Sequence, residues 1–574
     1  MKKLKGVVIL AILAMVAAAC GADEPADTSA PAETSAPAET TAPPETTETT
    51  APSDTSAPSG DLASVSAESC DYGGKIQSIE ATGTHEVVFT LCSPDPAFLA
   101  KLAFVPFAIQ PAEHLEATGG SPLDNPIGTG PFMLDAWERG SEIVMSANPD
   151  YWGGPPPFET LVFRWAAEST SRILELQSGN AHYITNLAAS DYETIQNDEN
   201  LVLLEDPNPN IFYIGMTNTF EPFNDVRVRQ AVAMGIDRQR IVDNFYPLGS
   251  EVADFFTPCS IPNGCEGEPW YEFDPEAARA LLAEAGYPDG FDTRITYRDV
   301  FRVYLPEPGA VATEIATQLR ENLGINATVE EVESGAFIEQ TSIGAMDGIH
   351  LLGWGADYPH VTNFLDTHFR GPQFGDTIPE LVELLDQGAA TVDEAEAAPI
   401  YEQANNLLRE HVPVVPVAHG AAADAALATV EGAQVPPFGA PQFHTMTPDG
   451  DTLVFVQNAE PISLFCADET DGESLSACEQ VLEGLYDYDL EGNPVPALAE
   501  SCDPNEDGTV WTCAIRQGVK FHDGSDLDAN DVVTSFAVGI DAAHPLHVGN
   551  TGGFEYFAYL WGALMNAEDA GGEG

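Results

Sequence analysis

The chain has 574 residues, of which 91 are acidic and 21 basic, so its formal net charge is −70. Its hydrophobic fraction of 44% is ordinary for a globular protein, and its length allows about three or four domains. DNA, RNA and anionic lipid headgroups would all repel so acidic a chain. The charge therefore argues against nucleic-acid binding and against peripheral binding to anionic lipid surfaces.

The amino-terminal segment indicates export. Three lysines within the first five residues precede an apolar stretch, 6–19, which is too short to span a membrane comfortably and ends in small residues. The stop at Cys20 resembles a bacterial lipoprotein signal, although alanine replaces the usual leucine three places before the cysteine. We predict a lipoprotein signal peptide at 1–19 and lipidation of Cys20. The alternative is a plain secretory signal followed by an incidental cysteine.

Residues 20–69 are predicted to form a disordered tether rich in threonine, proline, alanine and glutamate. They repeat units such as TSAPAE, which have no periodic apolar residues and so cannot bury a core. No later segment offers about 18 uninterrupted apolar residues. We therefore expect the rest of the chain to lie outside the cytoplasm, at the outer face of the cell membrane, and to contact that membrane through the lipid anchor only.

Cysteine usage also fits an oxidising compartment. Eight cysteines remain after Cys20, and none of them has the C-x₂-C spacing that is typical of zinc sites. Several are close in sequence, and one pair brackets a predicted hairpin. Local disulfides are therefore expected, although spacing does not fix their connectivity. The candidate pairs are Cys70 with Cys92, Cys259 with Cys265, Cys466 with Cys478, and Cys502 with Cys513.

The sequence lacks the common catalytic motifs, so we predict that the protein is not an enzyme and has no cofactor or metal. HExxH, GxSxG and GxxxxGK are all missing. The pair His544 and His547 is interrupted by proline and is interpreted as structural. The run from Gly128 to Pro131 is interpreted as a tight turn. Carboxylates that converge only in the folded protein would escape this search.

Periodic segments indicate an α/β protein with mixed sheets. A helix is predicted from Glu276 to Gly286, with Asp274 as its N-cap and Pro275 at its first position. Three further helices and two strands are predicted from the same patterns. The helices are predicted at 310–324, 378–390 and 394–411, and the strands at 325–332 and 411–420.

Several motifs in a fixed order resemble those of family 5 solute-binding proteins, the oligopeptide- and dipeptide-binding receptors of ABC importers. They include PIGTGPFMLDAW, ELQSGNAHYI, FNDVRVRQAVAMGIDRQRIV, LLGWGADYP and HVPVVPVAHG. The resemblance covers nearly everything from about residue 71 onward. It implies a two-lobed, periplasmic-binding-protein-like clamshell (type II, with an extra subdomain) that closes around its ligand by a hinge.

The order of the segments departs from the family pattern. Residues from Asp451 onward resemble the amino-terminal part of the family, whereas KIQSIEATGTHEVVFTL, which opens the folded region, resembles the family's next segment. We interpret the chain as circularly permuted, with a gene-assembly error as the alternative. The resulting map has three parts: a main region at 70–445, a permuted segment at 446–566 and a tail at 567–574. The main region contains part of the subdomain at 70–126, lobe I at 127–222, lobe II at 223–420 and a further piece of lobe I at 421–445. The permuted segment completes lobe I and the subdomain.

The resemblance also implies ligand contacts. Gly353, Trp354, Gly355 and Asp357 in GWGADYP match the strand and turn that hold a peptide's backbone and amino terminus. The competing interpretations are a core role for the tryptophan and a turn-capping role for the aspartate.

Three further ligand-binding positions are implied by the same resemblance. Arg302 falls near the place where dipeptide receptors hold the ligand carboxylate, with Arg298 as a competitor and a surface salt bridge as an equal alternative. Glu460 and Tyr213 match positions that line the pocket from the other lobe, with structural packing as the alternative.

The expected function is therefore an extracytoplasmic, lipid-anchored receptor that captures peptides as a monomer and delivers them to ABC importer permease subunits. A receptor of the same fold for a nonpeptide solute, such as a glycoside, an opine or a metal chelate, is the main alternative, because fold does not fix the ligand. An extracytoplasmic hydrolase is a further alternative.

Overall fold

The computed structural model describes residues 62–567. The signal peptide, Cys20, most of the predicted tether and residues 568–574 lie outside the described part. Among residues 62–567, none of the helices combines the length and the apolar character that a membrane crossing requires.

The strands, in chain order, are β1 (Ser64–Ser66), β2 (Ile76–Gly83), β3 (Glu86–Leu91), β4 (Phe132–Glu138), β5 (Glu142–Ala147), β6 (Thr160–Trp165), β7 (Tyr183–Ile184), β8 (Leu201–Asp206), β9 (Asn210–Met216), β10 (Glu251–Val252), β11 (Asp292–Tyr297), β12 (Asn326–Glu331), β13 (Ile349–Gly355), β14 (Val414–His419), β15 (Ala422–Leu427), β16 (Thr452–Gln457), β17 (Tyr486–Tyr488), β18 (Pro494–Pro496), β19 (Ala499–Pro504) and β20 (Val510–Ile515).

The α-helices are α1 (Phe98–Leu102), α2 (Ala112–Ala117), α3 (Ser169–Gln177), α4 (Tyr192–Gln196), α5 (Val226–Gly235), α6 (Arg238–Phe245), α7 (Pro275–Glu284), α8 (Pro308–Gln318), α9 (Ser334–Ser342), α10 (Thr362–Phe369), α11 (Pro379–Ala389), α12 (Glu394–His411), α13 (Gly472–Cys478), α14 (Ala529–Ile540) and α15 (Glu555–Leu560). A π-helical turn, Leu319–Leu323, continues α8 as far as Gly324.

Lobe I is built on a seven-stranded sheet of order β4-β5-β6-β16-β7-β15-β8. β16 lies in its middle and runs parallel to both β6 and β7. Side chains of β16 alternate between two apolar cores, with Phe455 in one and Val454 and Val456 in the other. The segment after Asp451 is therefore an integral part of this lobe.

Lobe II is built on a six-stranded sheet of order β10-β14-β9-β13-β11-β12. β9 is buried at all seven positions and pairs antiparallel with β13 and β14. Its run NIFYIGM is nearly continuous in apolar residues, as expected for a strand that is covered on both faces.

In the described part of the chain, two crossings connect these sheets, at 207–209 and at 420–421. The crossings are joined, because the Asn210 side-chain amide donates to Gly420 O (2.7 Å) and accepts from Gly420 N (2.8 Å). The predicted lobe boundary at 222/223 is corrected by this arrangement. β9 pairs with β13 and β14 in the lobe II sheet, so it belongs to lobe II.

The subdomain contains a five-stranded antiparallel sheet of order β1-β2-β3-β20-β19, which combines the two ends of the described chain. β1 lies inside the segment that was predicted as tether, and this corrects the predicted start of the fold at residue 70. Val65 and Ala67 are buried, and β1 pairs with β2, so the alternation of small apolar residues is sufficient to add an edge strand.

All four candidate cysteine pairs are disulfide-bonded in the structure. Cys502 and Cys513 face each other across the β19–β20 hairpin, as the turn signal between them predicts. The predicted start of α7 is also confirmed, since the Asp274 carboxylate accepts from the backbone N–H groups of Glu276 and Ala277. A helix start that is set by a local capping residue can thus be predicted from the sequence.

Candidate functional site

A cavity of about 480 Å³ opens beside the carboxyl end of β13 in lobe II. We call it the arginine cavity, because two arginines line it. It brings together most of the residues that the sequence singled out: Tyr213, Arg298, Arg302, Gly353, Trp354, Gly355 and Asp357. Its size is that of a typical small-molecule site.

Asp357 is held in place by Asn363, which is the second residue of α10 and is fully buried. Asn363 Oδ1 accepts from Asp357 N (2.9 Å) and from Trp354 Nε1 (3.1 Å), and its Nδ2 donates to Asp357 Oδ2 (3.0 Å). One amide thus fixes the orientation of two candidate ligand-binding side chains. Asn363 was not predicted from the sequence; its only signal is an asparagine at the start of a helix after the GWGADYP turn.

The Asp357 carboxylate is half-buried, and none of the ion pairs among residues 62–567 involves it. Burial raises its pKa to about 6, and the hydrogen bond from Asn363 opposes that rise. A carboxylate in such a position gains stability from any cation that enters the cavity, because it has lost much of its hydration.

The two glycines beside Trp354 differ in their surroundings. A Cβ at Gly353 would lie 2.3 Å from Ile211 O and 2.4 Å from Tyr304 Cδ2, so this position requires glycine for close packing. A Cβ at Gly355 would have only Asn208 within 4 Å. The backbone at Gly355 therefore has open space beside it, whereas Gly353 is enclosed by neighbours.

Arg298 and Arg302 supply positive charge to the same cavity. Arg298 is half-buried and lies near two hydroxyl groups, Ser334 Oγ (3.2 Å) and Tyr304 Oη (3.4 Å). Arg302 is exposed and donates to Phe301 O (2.8 Å). Neither takes part in an ion pair within the described residues. In a chain with 91 acidic side chains, two unpaired guanidinium groups at one cavity point to an anionic ligand group.

Two predicted contacts lie elsewhere than expected. Tyr213 is on β9 and lines the cavity from lobe II itself, because β9 pairs with β13. Glu460 does not line the arginine cavity: its carboxylate accepts from Trp137 Nε1 (3.1 Å) and from Gly140 N (3.0 Å), next to the β4–β5 hairpin. Both residues were predicted to line this pocket from lobe I. Tyr213 instead lines it from lobe II, and Glu460 does not line it.

A second cavity of about 390 Å³ adjoins the first between the two lobes, and Asn208 and Asp357 line both. We call it the acidic cavity, because Asp206, Asp424, Glu473 and Glu479 also line it. Burial raises the pKa of Asp424 to about 7, with a contribution from Asp206, and that of Glu479 to about 8.

Asp424 was not predicted either, although an aspartate alone within the apolar run AAADAALA is a visible signal. Its carboxylate accepts from Tyr183 Oη and from Asn186 N, both at 2.9 Å. These bonds hold the buried carboxyl group at the wall of the acidic cavity.

The histidine pair in the carboxy-terminal region is engaged in local structure. His547 Nδ1 donates to Val538 O (2.7 Å), and the ring stacks on Phe554 at 4.2 Å. His544 Nδ1 accepts from Leu546 N (3.3 Å). Among residues 62–567, no group of three or more histidine, cysteine, aspartate and glutamate side chains has an arrangement that could hold a metal ion.

Residues 39–376 and 493–553 match the bacterial extracellular solute-binding proteins, family 5, in the middle region of that family. Heme-binding protein A of Haemophilus influenzae is 28% identical over 386 residues, which cover 65% of this chain and 70% of that protein. The dipeptide-binding protein of Escherichia coli is 29% identical over 387 residues, which cover 65% of this chain and 71% of that protein.

Solved structures show the same fold. HbpA2 from Haemophilus parasuis has a TM-score of 0.61 at 29% sequence identity, covering 66% of this chain and 76% of that one. The dipeptide binding protein from Pseudoalteromonas sp. SM9913, in complex with Met-Leu, has a TM-score of 0.54 at 27% identity, with the same coverage.

Proposed function

Because this chain belongs to the bacterial extracellular solute-binding proteins, family 5, which are receptors and not enzymes, we propose that it captures short peptides for an ABC importer. One observation carries the proposal: a carboxylate and two guanidinium groups, none of which forms an ion pair within residues 62–567, line the same cavity. A peptide carries the two complementary charges, an ammonium group and a carboxylate. Two relatives bear names that fit, the dipeptide-binding protein of Escherichia coli and the Pseudoalteromonas protein in complex with Met-Leu.

In the proposed complex, the peptide ammonium group pairs with Asp357. At about 4 Å and an effective dielectric constant near 20, this pair gains roughly 4 kcal/mol before desolvation is subtracted. A micromolar complex needs roughly 8 kcal/mol in total, so the anchor supplies a large share. The arginines hold the carboxylate of the peptide. Backbone groups at 353–356 add hydrogen bonds to the peptide backbone, and these do not depend on the side chains of the peptide.

Calorimetric titration with dipeptides tests this assignment. We expect micromolar binding of a free dipeptide, and at least roughly tenfold weaker binding after amino-terminal acetylation or carboxy-terminal amidation. Arg298→Gln and Arg302→Gln should weaken binding of the free dipeptide but not binding of the amidated dipeptide. Arg320→Gln, at an exposed arginine outside the cavity, is the matched control. Binding that ignores both terminal modifications would contradict the proposal.

A nonpeptide ligand is the second candidate, and His368 is the observation that favours it. Its Nδ1 donates to Phe364 O (2.7 Å), so Nε2 is left as an acceptor in a ring that lines the arginine cavity. A ring held in this way is typical of histidines that bind metals. Mass spectrometry of co-purifying molecules, together with absorbance titration with hemin, separates this candidate from peptide binding.

We also propose that the receptor is a monomer held to the outer face of the membrane by lipid on Cys20. Dual acylation gives stable anchoring where one chain would not. Labelling with radioactive palmitate should mark the full chain and not a Cys20→Ser variant, which should be found in the medium. Equal membrane retention of both would contradict the anchor. The partner permease would be identified by co-purification after crosslinking in membranes.

Finally, we propose that the chain is a circular permutation of the family pattern. The family match falls in two separate segments, 39–376 and 493–553. Within the predicted permuted segment at 446–566, β16 completes the lobe I sheet, and β19 and β20 complete the subdomain sheet. Gly562 approaches Gly73 near the two ends, and Lys75 N donates to Trp561 O (2.7 Å). These contacts support a subdomain that was opened when the older termini were joined near 446–451.

A further inference from the structure

One wall of the arginine cavity is a continuous set of aromatic rings. Tyr213 lies 5.6 Å from His368 and 5.8 Å from Phe374, measured between ring centroids. Trp354 packs edge-on against His368 at 5.4 Å, and His350 stacks on Phe374 at 5.8 Å. All five residues line the cavity. We call this surface the aromatic wall.

The aromatic wall carries no charge at neutral pH. Burial lowers the pKa values of His350 and His368 to about 4, so both imidazoles are neutral. Their rings therefore present flat, weakly polar surfaces, as the phenyl and indole rings do. Leu352 and Ile338 add aliphatic surface to the same cavity.

The charged groups of this cavity are few and of defined kind. The lining contains two guanidinium groups, of Arg298 and Arg302, and one carboxylate, of Asp357, which it shares with the acidic cavity. The lining of the acidic cavity contains five carboxyl groups and four aromatic rings, but no arginine or lysine. A ligand carboxylate is therefore attracted to the arginine cavity, where the aromatic wall lies beside the guanidinium groups.

We propose that the arginine cavity selects peptides in which the residue bearing the free carboxylate has a large apolar side chain. This inference rests on the proposed peptide-binding function and specifies its substrate class. The guanidinium groups hold the carboxylate, and the side chain next to it packs on the aromatic wall. Burial of an aromatic side chain is worth more than about a factor of ten in affinity, so selection should be easily measured.

Calorimetry with three dipeptides, Ala-Ala, Ala-Phe and Phe-Ala, tests the proposal on the unaltered protein. We expect Ala-Phe to bind at least about tenfold more tightly than either of the others. A smaller preference over Ala-Ala, or equal affinity for Ala-Phe and Phe-Ala, overturns the selection while leaving peptide binding in place. Absence of binding by all three contradicts the proposed function itself.

Two variants on one short stretch provide a matched comparison. Ile338 lines the cavity, whereas Ile343 is exposed just beyond the end of α9 and lies outside the lining. Ile338→Ser should weaken the binding of Ala-Phe by about threefold and leave the affinity for Ala-Ala unchanged. The effect on Ala-Phe is modest because the apolar surface that is removed is already partly exposed. Ile343→Ser should change neither. An equal loss for both dipeptides, or no loss with Ile338→Ser, would overturn the packing of the side chain on this lining.

Discussion

Asp357 has two roles: it accepts a hydrogen bond that holds the turn, and its negative charge is proposed to bind the ligand. A single substitution separates these roles. In Asp357→Asn, the side-chain carbonyl can still accept from Asn363 Nδ2, so the turn should remain folded. The substitution removes the charge, and we expect dipeptide affinity to fall at least roughly tenfold while the melting temperature of the empty protein is unchanged. Calorimetry and thermal unfolding measure the two quantities.

Asp299→Asn is the control for Asp357→Asn, since Asp299 is exposed in the same lobe and lies outside the cavity lining. It removes the same charge and should leave affinity unchanged. A drop in melting temperature with Asp357→Asn and no loss of affinity would favour the turn-capping interpretation instead.

The raised pKa of Asp357, about 6, predicts a pH dependence of binding. The ligand ammonium requires the ionised carboxylate, so affinity falls as the pH falls through about 6, and at about pH 5 it should be roughly tenfold weaker than at neutral pH. Asp424 and Glu479, with higher pKa values, line the neighbouring cavity and also titrate. Calorimetry of Asp357→Asn isolates the anchor, because that variant should lack the step near pH 6.

At the residue scale, local motifs identified part of the site. The GWGADYP turn places Trp354 and Asp357 in one segment, so both could be predicted together. Asn363 and Asp424 could not, because their importance comes from which atoms they meet after folding. Tyr213 was placed in the wrong lobe for a similar reason, since only strand pairing shows which sheet contains β9.

At the element scale, the Asp274 cap of α7 is a clear stability test. Its carboxylate accepts from Glu276 N (3.2 Å) and Ala277 N (3.0 Å), and α7 buries Leu282 against the lobe II core. Asp274→Ala should lower the free energy of unfolding by about 1 kcal/mol, measured by urea denaturation. Asp274→Ser keeps a capping oxygen and should cost much less. Equal losses for the two variants would contradict a capping role.

Helices were better predicted than the limits of the sheets. Helix ends are set by local residues, such as Asp274 at the start of α7 and Gly324, which has a positive φ of 71°, after the turn that continues α8. The edge strand β1 depends on its pairing with β2, and the crossing at 207–209 depends on the pairing of β9 with β13, far along the chain. A sequence pattern of period two indicates a strand but not its neighbour.

At the scale of the whole molecule, the arrangement of the sheets makes the segment after residue 451 indispensable. β16 lies between β6 and β7, and β20 lies between β3 and β19. Removing this segment would expose the middle of one sheet and an edge of another. The family resemblance predicted that the segment belongs to lobe I and the subdomain, because each quoted motif can be recognised wherever it lies in the chain.

The proposed permutation predicts that the chain tolerates being reopened at the old junction. The two described ends meet α14, since Ala63 N donates to Asn530 Oδ1 (2.8 Å) and Met565 N donates to Ile540 O (2.7 Å). These contacts lie near opposite ends of a 12-residue helix, about 15 Å apart along its axis, which about eight extended linker residues can span. A variant with its ends so joined, and opened in the exposed turn at 449–450, should keep its melting temperature and its dipeptide affinity. The control has the same linker but is opened inside β16, and it should lose cooperative thermal unfolding because its cut lies in the middle of the lobe I sheet. If the variant opened at 449–450 is as disrupted as this control, the turn is not the junction of older termini that we propose.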